Sequence, residues 1–315
     1  MEESRKLPRR SFLKVGLPIL GMAILPGALF GQSSKRERRL SILHTNDWHS
    51  RIDPFPVNDP KFPAMGGAAR RSALIKNIRA EAGDVLLLDA GDIVQGTPYF
   101  NYYAGVPEIQ LMNEMGYECA TLGNHDFDNG IEGLKKLLRL AKFPFVNCNY
   151  EFGETGLKEF VHKSVVIKKS GLRIGIVGVG IDLKPLLPAE NIVGIQYNHP
   201  VEIADNEAQR LKKNEKCDLV ICLSHLGYEY ADNKVSDRVL ASQTRHIDLI
   251  IGGHTHTFLE KPIQVANLEG RMVTINQVGW AGLRLGRINY HFSSINNTKN
   301  GLTSQIEVFK KSIAI

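Results

Sequence analysis

Ile247-Asp248-Leu249-Ile250-Ile251 runs directly into Gly252-Gly253-His254-Thr255-His256. A short apolar, β-branched run closed by two glycines reads as a buried strand ending in a tight turn. Two imidazoles follow the turn. The same grammar recurs four times upstream. Leu40-Ser41-Ile42-Leu43 leads to Asp47-Trp48-His49, and Val85-Leu86-Leu87-Leu88 leads to Gly91-Asp92. Cys119-Ala120-Thr121-Leu122 leads to Gly123-Asn124-His125-Asp126, and Leu219-Val220-Ile221-Cys222-Leu223 leads to Ser224-His225. If these strands are neighbours in one sheet, their ends collect nitrogen and oxygen ligands along one edge. A collection of that composition binds metal ions.

Working outward, strand-like runs occupy 40–45, 85–89, 119–122, 143–148, 172–180, 218–224, 247–252 and 272–278. Between them, apolar residues fall at helical spacing over 68–80, 107–115, 131–140, 201–211 and 236–244. Such alternation predicts an α/β domain with much parallel pairing, whose ligands bind at the carboxyl ends of the strands. From about Arg271 the pattern changes. Val273–Val278, Leu285–Tyr290 and Ile306–Phe309 alternate without helices between them and read as antiparallel strands finishing a second sheet. The loop at 54–60 holds three prolines and is placed to overhang the site. Gly175-Ile176-Val177-Gly178-Val179-Gly180 lacks the third glycine of a dinucleotide fingerprint and reads as a tightly packed strand.

Bulk properties exclude several classes. With 43% hydrophobic and 23% charged residues, the 315-residue chain has a globular composition. Its formal charge is +6, but Arg5, Lys6, Arg9, Arg10 and Lys14 against Glu2 and Glu3 put half of that excess at the N-terminus. No basic stripe with interleaved aromatics marks a nucleic-acid footprint. Four cysteines, Cys119, Cys148, Cys217 and Cys222, are too few for a disulfide framework and read as small buried hydrophobes. Residues 1–31 resemble a twin-arginine export signal: Pro8-Arg9-Arg10-Ser11-Phe12-Leu13-Lys14, then an apolar stretch broken by Pro18 and Pro26. That predicts a periplasmic or cell-surface protein. The absence of a clean small-x-small cleavage site leaves an uncleaved membrane anchor open.

Asp47, His49, Asp92, Asn124, His225, His254 and His256 are the candidate metal ligands. Imidazole, amide and carboxylate without thiolate suit Mn, Fe, Co or Zn. Seven side chains exceed what one open site uses, whereas two divalent ions sharing a carboxylate would employ them all. Two carboxylates against two such ions leave roughly +2, which suits a phosphate ester anion. Each motif alone is weak, since Asp-x-His and Gly-Asp turns are common. Their order, each at a strand end, carries the specificity.

At these residues the chain resembles the calcineurin-like metallophosphoesterases. More narrowly, it is similar to the catalytic domain of the 5′-nucleotidase, UDP-sugar hydrolase and 2′,3′-cyclic phosphodiesterase family. The narrower match rests on Ile42-Leu43-His44-Thr45-Asn46-Asp47-Trp48-His49 and on Gly91-Asp92-Ile93-Val94-Gln95-Gly96-Thr97-Pro98. It continues through Met112-Asn113-Glu114-Met115-Gly116-Tyr117 to Gly123-Asn124-His125-Asp126-Phe127-Asp128. The resemblance spans roughly residues 40–290 and implies a four-layer α/β/β/α sandwich. It implies one ion on Asp47, His49, Asp92 and His256 and a second on Asp92, Asn124, His225 and His254, with Asp92 bridging. Several family members carry Gln at the position of His256, so the first ion's preference can differ here. The resemblance also implies a catalytic pair, His125 and Asp128, with Asp128 orienting the imidazole and favouring its charge. A plain alternative is that Asp128 caps the following helix. His44 is read either as support for the site or as structural.

The expected activity is hydrolysis of nucleotides or related phosphate esters, by in-line attack of a hydroxide bridging the ions. Full-length family members add a C-terminal domain that stacks the base. Residues 40–315 are read as the catalytic domain without it, which predicts loose specificity or a separately encoded substrate-binding partner. Two other readings keep the same residues: a thiosulfohydrolase-like enzyme, and a non-catalytic metal-binding subunit.

Overall fold

The strands alternate in side-chain direction, and that alternation builds the layers. In the computed structural model, which describes residues 38–232, 234–292 and the strand 299–308, fifteen strands and six α-helices follow in order. They are β1 (Arg38–Thr45), α1 (Ala68–Ala82), β2 (Val85–Asp89), α2 (Pro98–Tyr103), α3 (Val106–Met115), β3 (Cys119–Thr121) and α4 (Gly130–Leu140). Then come β4 (Phe145–Val146), β5 (Tyr150–Glu151), β6 (Val161–His162), β7 (Ser164–Lys169), β8 (Leu172–Gly180), β9 (Gln196–Tyr197), α5 (Pro200–Lys213) and β10 (Leu219–His225). The chain continues through α6 (Asp237–Gln243), β11 (Leu249–Gly252), β12 (Ile263–Ala266), β13 (Met272–Asn276), β14 (Arg284–Phe292) and β15 (Lys299–Val308).

Two large sheets result, ordered β15-β14-β1-β2-β3-β4-β6 and β12-β13-β11-β10-β8-β7. In β2, Leu86 and Leu88 face the second sheet while Val85 and Leu87 face α1, α3 and α4. In β10, Leu219, Ile221 and Leu223 face the first sheet while Val220 and Cys222 face α5 and α6. Strands apolar on both faces must be covered on both faces, and a helix layer outside each sheet satisfies that. The four-layer α/β/β/α sandwich expected from the resemblance is therefore what the burial pattern produces. Each fully buried Leu or Ile contributes about 1.5–3 kcal/mol relative to exposure.

Two expectations need correction. The five strands with polar ends do not share one sheet: β1, β2 and β3 belong to the first, β10 and β11 to the second. Their carboxyl ends nevertheless meet, because the sheets stack face to face. The strands after Arg271 do not finish a second sheet as an antiparallel set. Only β13 joins it, parallel to β11, whereas β14 returns to pair antiparallel with β1 and carries β15 on its outer edge. Local alternation fixes which face a residue takes and says nothing about which distant strand it meets.

The glycine-rich strand β8 is closely packed, with Cys148 N donating to Gly178 O at 2.8 Å between the sheets. All four cysteines are buried and free. The twin-arginine reading of residues 1–31 lies outside the described residues, as does Phe309. Among the described residues, no helix is long and apolar enough to cross a membrane.

Candidate metal centre

The loops after the strands are stitched to one another by backbone hydrogen bonds. Asp47 N donates to Gly91 O at 2.9 Å, His49 N to Asp92 O at 3.0 Å and Ser50 N to Ile93 O at 3.1 Å. Asp126 ties the next loop in: its carboxyl accepts from Asp92 N at 3.2 Å, Ile93 N at 3.0 Å and Gly123 N at 2.8 Å. Across the sheets, His254 N donates to Asp47 Oδ1 at 3.0 Å, and His225 Nδ1 lies 2.7 Å from Ala90 O. His125 N donates to Asp92 Oδ1 at 2.8 Å. Asn46 holds the Asp47 carboxylate from behind, donating to its Oδ2 at 2.6 Å while accepting from Val278 N.

This stitching holds the backbone where it would not otherwise rest. Asp47, His49, Asp92, His254 and His256 all have φ between 50° and 75°. Left-handed geometry costs a non-glycine residue on the order of 1–3 kcal/mol, and such strain persists only where surroundings impose it. Gly123 is required for a different reason. A Cβ there would lie 2.1 Å from Asp92 Oδ1.

Six of the candidates fall into two groups whose ligand atoms lie within 4.8 Å of one another: Asp47, His49 and His256, and Asp92, His225 and His254. His49 Nε2 and His256 Nε2 are 2.9 Å apart, and His256 Nε2 is 3.5 Å from Asp47 Oδ1. Asn124 Oδ1 is 2.9 Å from His254 Nδ1, which brings the seventh candidate in. Asp92 Oδ2 lies 3.7 Å from His49 Nε2 and 3.1 Å from His225 Nε2, so one carboxylate faces both groups. Ligand atoms about 3–3.5 Å apart are the spacing produced by roughly 2.0–2.2 Å bonds to a common ion.

The donor set fits cations. His225 Nδ1–H points to the Ala90 carbonyl, which fixes the tautomer and leaves Nε2 as the ligating atom. That Nε2 is buried and faces Asp92 Oδ2 at 3.1 Å. Burial opposes a charge on His225, yet Asp92 and Asp47 outweigh it and hold the imidazole up at about 10. The pocket thus draws positive charge inward. Burial pushes His254 down to about 4 and also lowers His49, which keeps both rings neutral and able to ligate.

Beside these groups, His125 Nδ1 meets Asp128 Oδ2 at 2.9 Å. Asp128 holds the imidazole above its usual value; burial opposes this, and Asp92 adds to it. Helix α4 has no side-chain cap, so Asp128 is not its cap. The His125 ring lies 5.3 Å from that of His49, centroid to centroid.

All nine site residues expected from the sequence are thus brought together. His44 is not: it is fully buried between the sheets, with Nε2 2.8 Å from Asn276 Nδ2. The positioning carboxylate Asp126 is not singled out by the sequence reading, although it closes the Gly123–Asp126 motif and a carboxylate can reach back to the N–H three residues before it, as in a capping box. Trp280 was also missed. It stacks on His256 at 5.4 Å with ring planes 5° apart, and Phe55 of the 54–60 loop packs against it at 6.0 Å. No local sequence signal marks that contact.

An α/β/β/α sandwich with two nitrogen–oxygen ligand groups meeting at its strand ends defines a metallophosphatase-type architecture. The family model for calcineurin-like phosphoesterases matches residues 40–258, and the chain belongs to that family. A 5′-nucleotidase of Rattus norvegicus is 34% identical over 281 residues, covering 82% of this chain and 47% of its own length. One from Diplobatis ommata is 35% identical over 229 residues, covering 70% and 38%. The crystal structure of a 5′-nucleotidase precursor from Thermus thermophilus superposes with a TM-score of 0.78 at 29% identity, over 86% of this chain and 54% of that one. The chain therefore spans about half the length, or less, of these relatives.

Proposed function

We propose that this protein is a metal-dependent phosphoric ester hydrolase acting on nucleotides or related small phosphate esters. The observation that carries the reading is the single carboxylate of Asp92 facing two ligand groups, with the His125–Asp128 pair alongside. The names of the relatives support nucleotides as the first substrate class to test.

In this reading Asp47, His49, His256 and Asp92 would hold one divalent cation, and Asp92, Asn124, His225 and His254 would hold another. Bound divalent cations supply Lewis-acid polarisation of phosphoryl oxygens and acidify water. The protein's own residues do the rest. Asn46 and the His254 N–H fix the Asp47 carboxylate, and the His125 N–H fixes that of Asp92. Asp128 accepts the Nδ1–H of His125 in a hydrogen bond, so the proton available for transfer is on Nε2. From there it is donated to a phosphoryl or leaving oxygen. We further read residues 40–315 as the catalytic domain and residues 1–31 as an export signal, which cell fractionation of the full chain checks.

The test is a panel of nucleoside monophosphates and an aryl phosphate, with Mn, Co and Zn added in turn to metal-stripped protein. Metal-dependent phosphate release is expected, with loss in Asp92→Asn and His125→Ala. If both variants retain the parent's hydrolysis, the reading of this site is wrong. A sulfate-release arm distinguishes the thiosulfohydrolase chemistry.

A further inference from the structure

A cavity of about 390 Å³ opens directly beside His254. Its walls come from the loop after β8, from β9 and from the loop after β10, and include Leu186, Tyr197, Leu226, Tyr230 and Val235. His254 forms the wall nearest the metal centre. That volume falls within the range of small-molecule sites, and a mostly apolar lining with a few polar groups is their usual composition. Burial, with Asp182 near Tyr197 and Asp237 near Tyr230, pushes both phenols up to about 12, so the aromatic walls are uncharged at neutral pH. The Tyr230 hydroxyl is spent on Leu226 O at 2.6 Å, which locks the ring in place. Lys234 Nζ stands 5.5 Å from the centre of that ring.

A phosphate ester has two halves. Its phosphoryl half belongs among charged ligands. Its organic half gains nothing there and must extend over neighbouring surface. Trp280 is another aromatic ring beside the metal centre, but it already stacks on His256. Tyr197 and Tyr230 line open volume instead.

We propose that this pocket receives the organic half of the ester and selects planar, weakly polar alcohols: aryl groups and the base-bearing half of nucleosides. The inference rests on the phosphoesterase reading above and adds a recognition surface within residues 181–235. Beyond the tyrosines and His254, Asp182 and Lys234 bring charged groups to the pocket that can meet hydroxyl and ring-nitrogen substituents.

The experiment compares kcat/KM for phenyl phosphate and methyl phosphate in the full-length protein loaded with Mn. The parent is set against Leu186→Glu, Tyr230→Ala and Tyr230→Phe. Leu186 is 43% exposed, so its replacement leaves folding intact. The intrinsic difference between the two esters cancels when ratios are compared. A fall of about tenfold or more in the phenyl-to-methyl ratio is expected for Leu186→Glu and Tyr230→Ala, with Tyr230→Phe within about threefold of the parent. Ratios unchanged in every variant, with both esters still hydrolysed, overturn the pocket assignment and leave the enzyme reading standing. If the parent hydrolyses neither ester, the nucleotide panel above decides the enzyme reading separately. The pocket is then decided by calorimetric titration of metal-free protein with adenosine. Binding weakened at least about fivefold by Leu186→Glu supports it, and no binding or an unchanged Kd overturns it.

Discussion

Asp237 offers a sharp test of how the site is supported. It lies in the first turn of α6, fully buried, and neither carboxyl oxygen makes a well-formed hydrogen bond. The carboxyl presses against the end of β11, where a Cβ on Gly252 would fall 1.9 Å from Oδ2. It therefore sits directly behind the turn that carries His254 and His256. Burial pushes its pKa from 3.8 to about 8, with Ser224 and His225 opposing and Asp47 assisting. Between those values the unfolded chain has released the proton and the folded chain keeps it. The native state then binds one more proton, so stability falls with rising pH at about 1.4 kcal/mol per unit. The favourable contribution is fully present below about pH 3.8 and lost as pH rises through about 8. Across that window the ceiling is about 6 kcal/mol, and relaxation around the charge lowers the observed effect to a few kcal/mol. Asp237→Asn keeps the shape and removes the titration. Guanidinium unfolding of metal-stripped protein, followed by tryptophan fluorescence at pH 5, 6, 7 and 8, measures the outcome. Asp89 and Asp126, both pushed to about 7 by burial, add to the slope in parent and variant alike, so the difference isolates Asp237. The variant should gain on the parent steadily towards pH 8. Parallel curves would refute the reasoning.

Gly123→Ala places a methyl group on the Asp92 carboxylate and should weaken Mn binding by about 10–100-fold, read by calorimetry; unchanged affinity in a folded variant rules out the close approach as a constraint. Asp126→Ala strips three buried N–H groups of their acceptor and should cost about 3 kcal/mol or more, read as a lower Tm. An unaltered Tm would mean that other groups hold those loops. Asp128→Asn lowers the pKa of His125, so activity requiring the charged imidazole should fade at lower pH than in the parent; a stationary alkaline limb argues against the pair.

Much of the fold was legible because buried parallel strands leave a strong mark. Leu219–Leu223 and Leu249–Ile251 are apolar on both faces, and runs that short, bounded by turn residues, fit a strand covered on both sides. The helices showed through spacing: the expected segment at 131–140 corresponds to α4, whose Leu134, Leu137 and Leu138 are buried. Strand β7, Ser164–Lys169, escaped because it is an edge strand with half-buried residues and two terminal lysines. The partner of β14 was unreadable because Ile288 pairs with Ile42 across most of the chain, and alternation is the same whichever sheet a strand joins.

The candidate ligands were legible as residue types, but the strain that presents them was not. An Asp or His in the left-handed region carries no signature in its own identity; the cause lies in contacts from elsewhere. His49 is turned by its bond to the Asp92 carbonyl, and Asp47 by bonds to Gly91 and, through its own carbonyl, to Ala281 N at 2.7 Å. Five such residues at about 1 kcal/mol each or more, together with two buried carboxylates, oppose folding. The layers of Leu, Ile and Val between and outside the sheets supply what offsets this, and they are rigid enough to keep the two ligand groups facing Asp92. The junction of two sheets suits such a site because each loop is held by a strand of its own sheet and by hydrogen bonds to the other. No single loop needs to be stable in that shape alone. Cation affinity then follows from geometry imposed at a distance, which is why substitutions at Gly123 or Asp126, neither of them a ligand, should be felt at the centre.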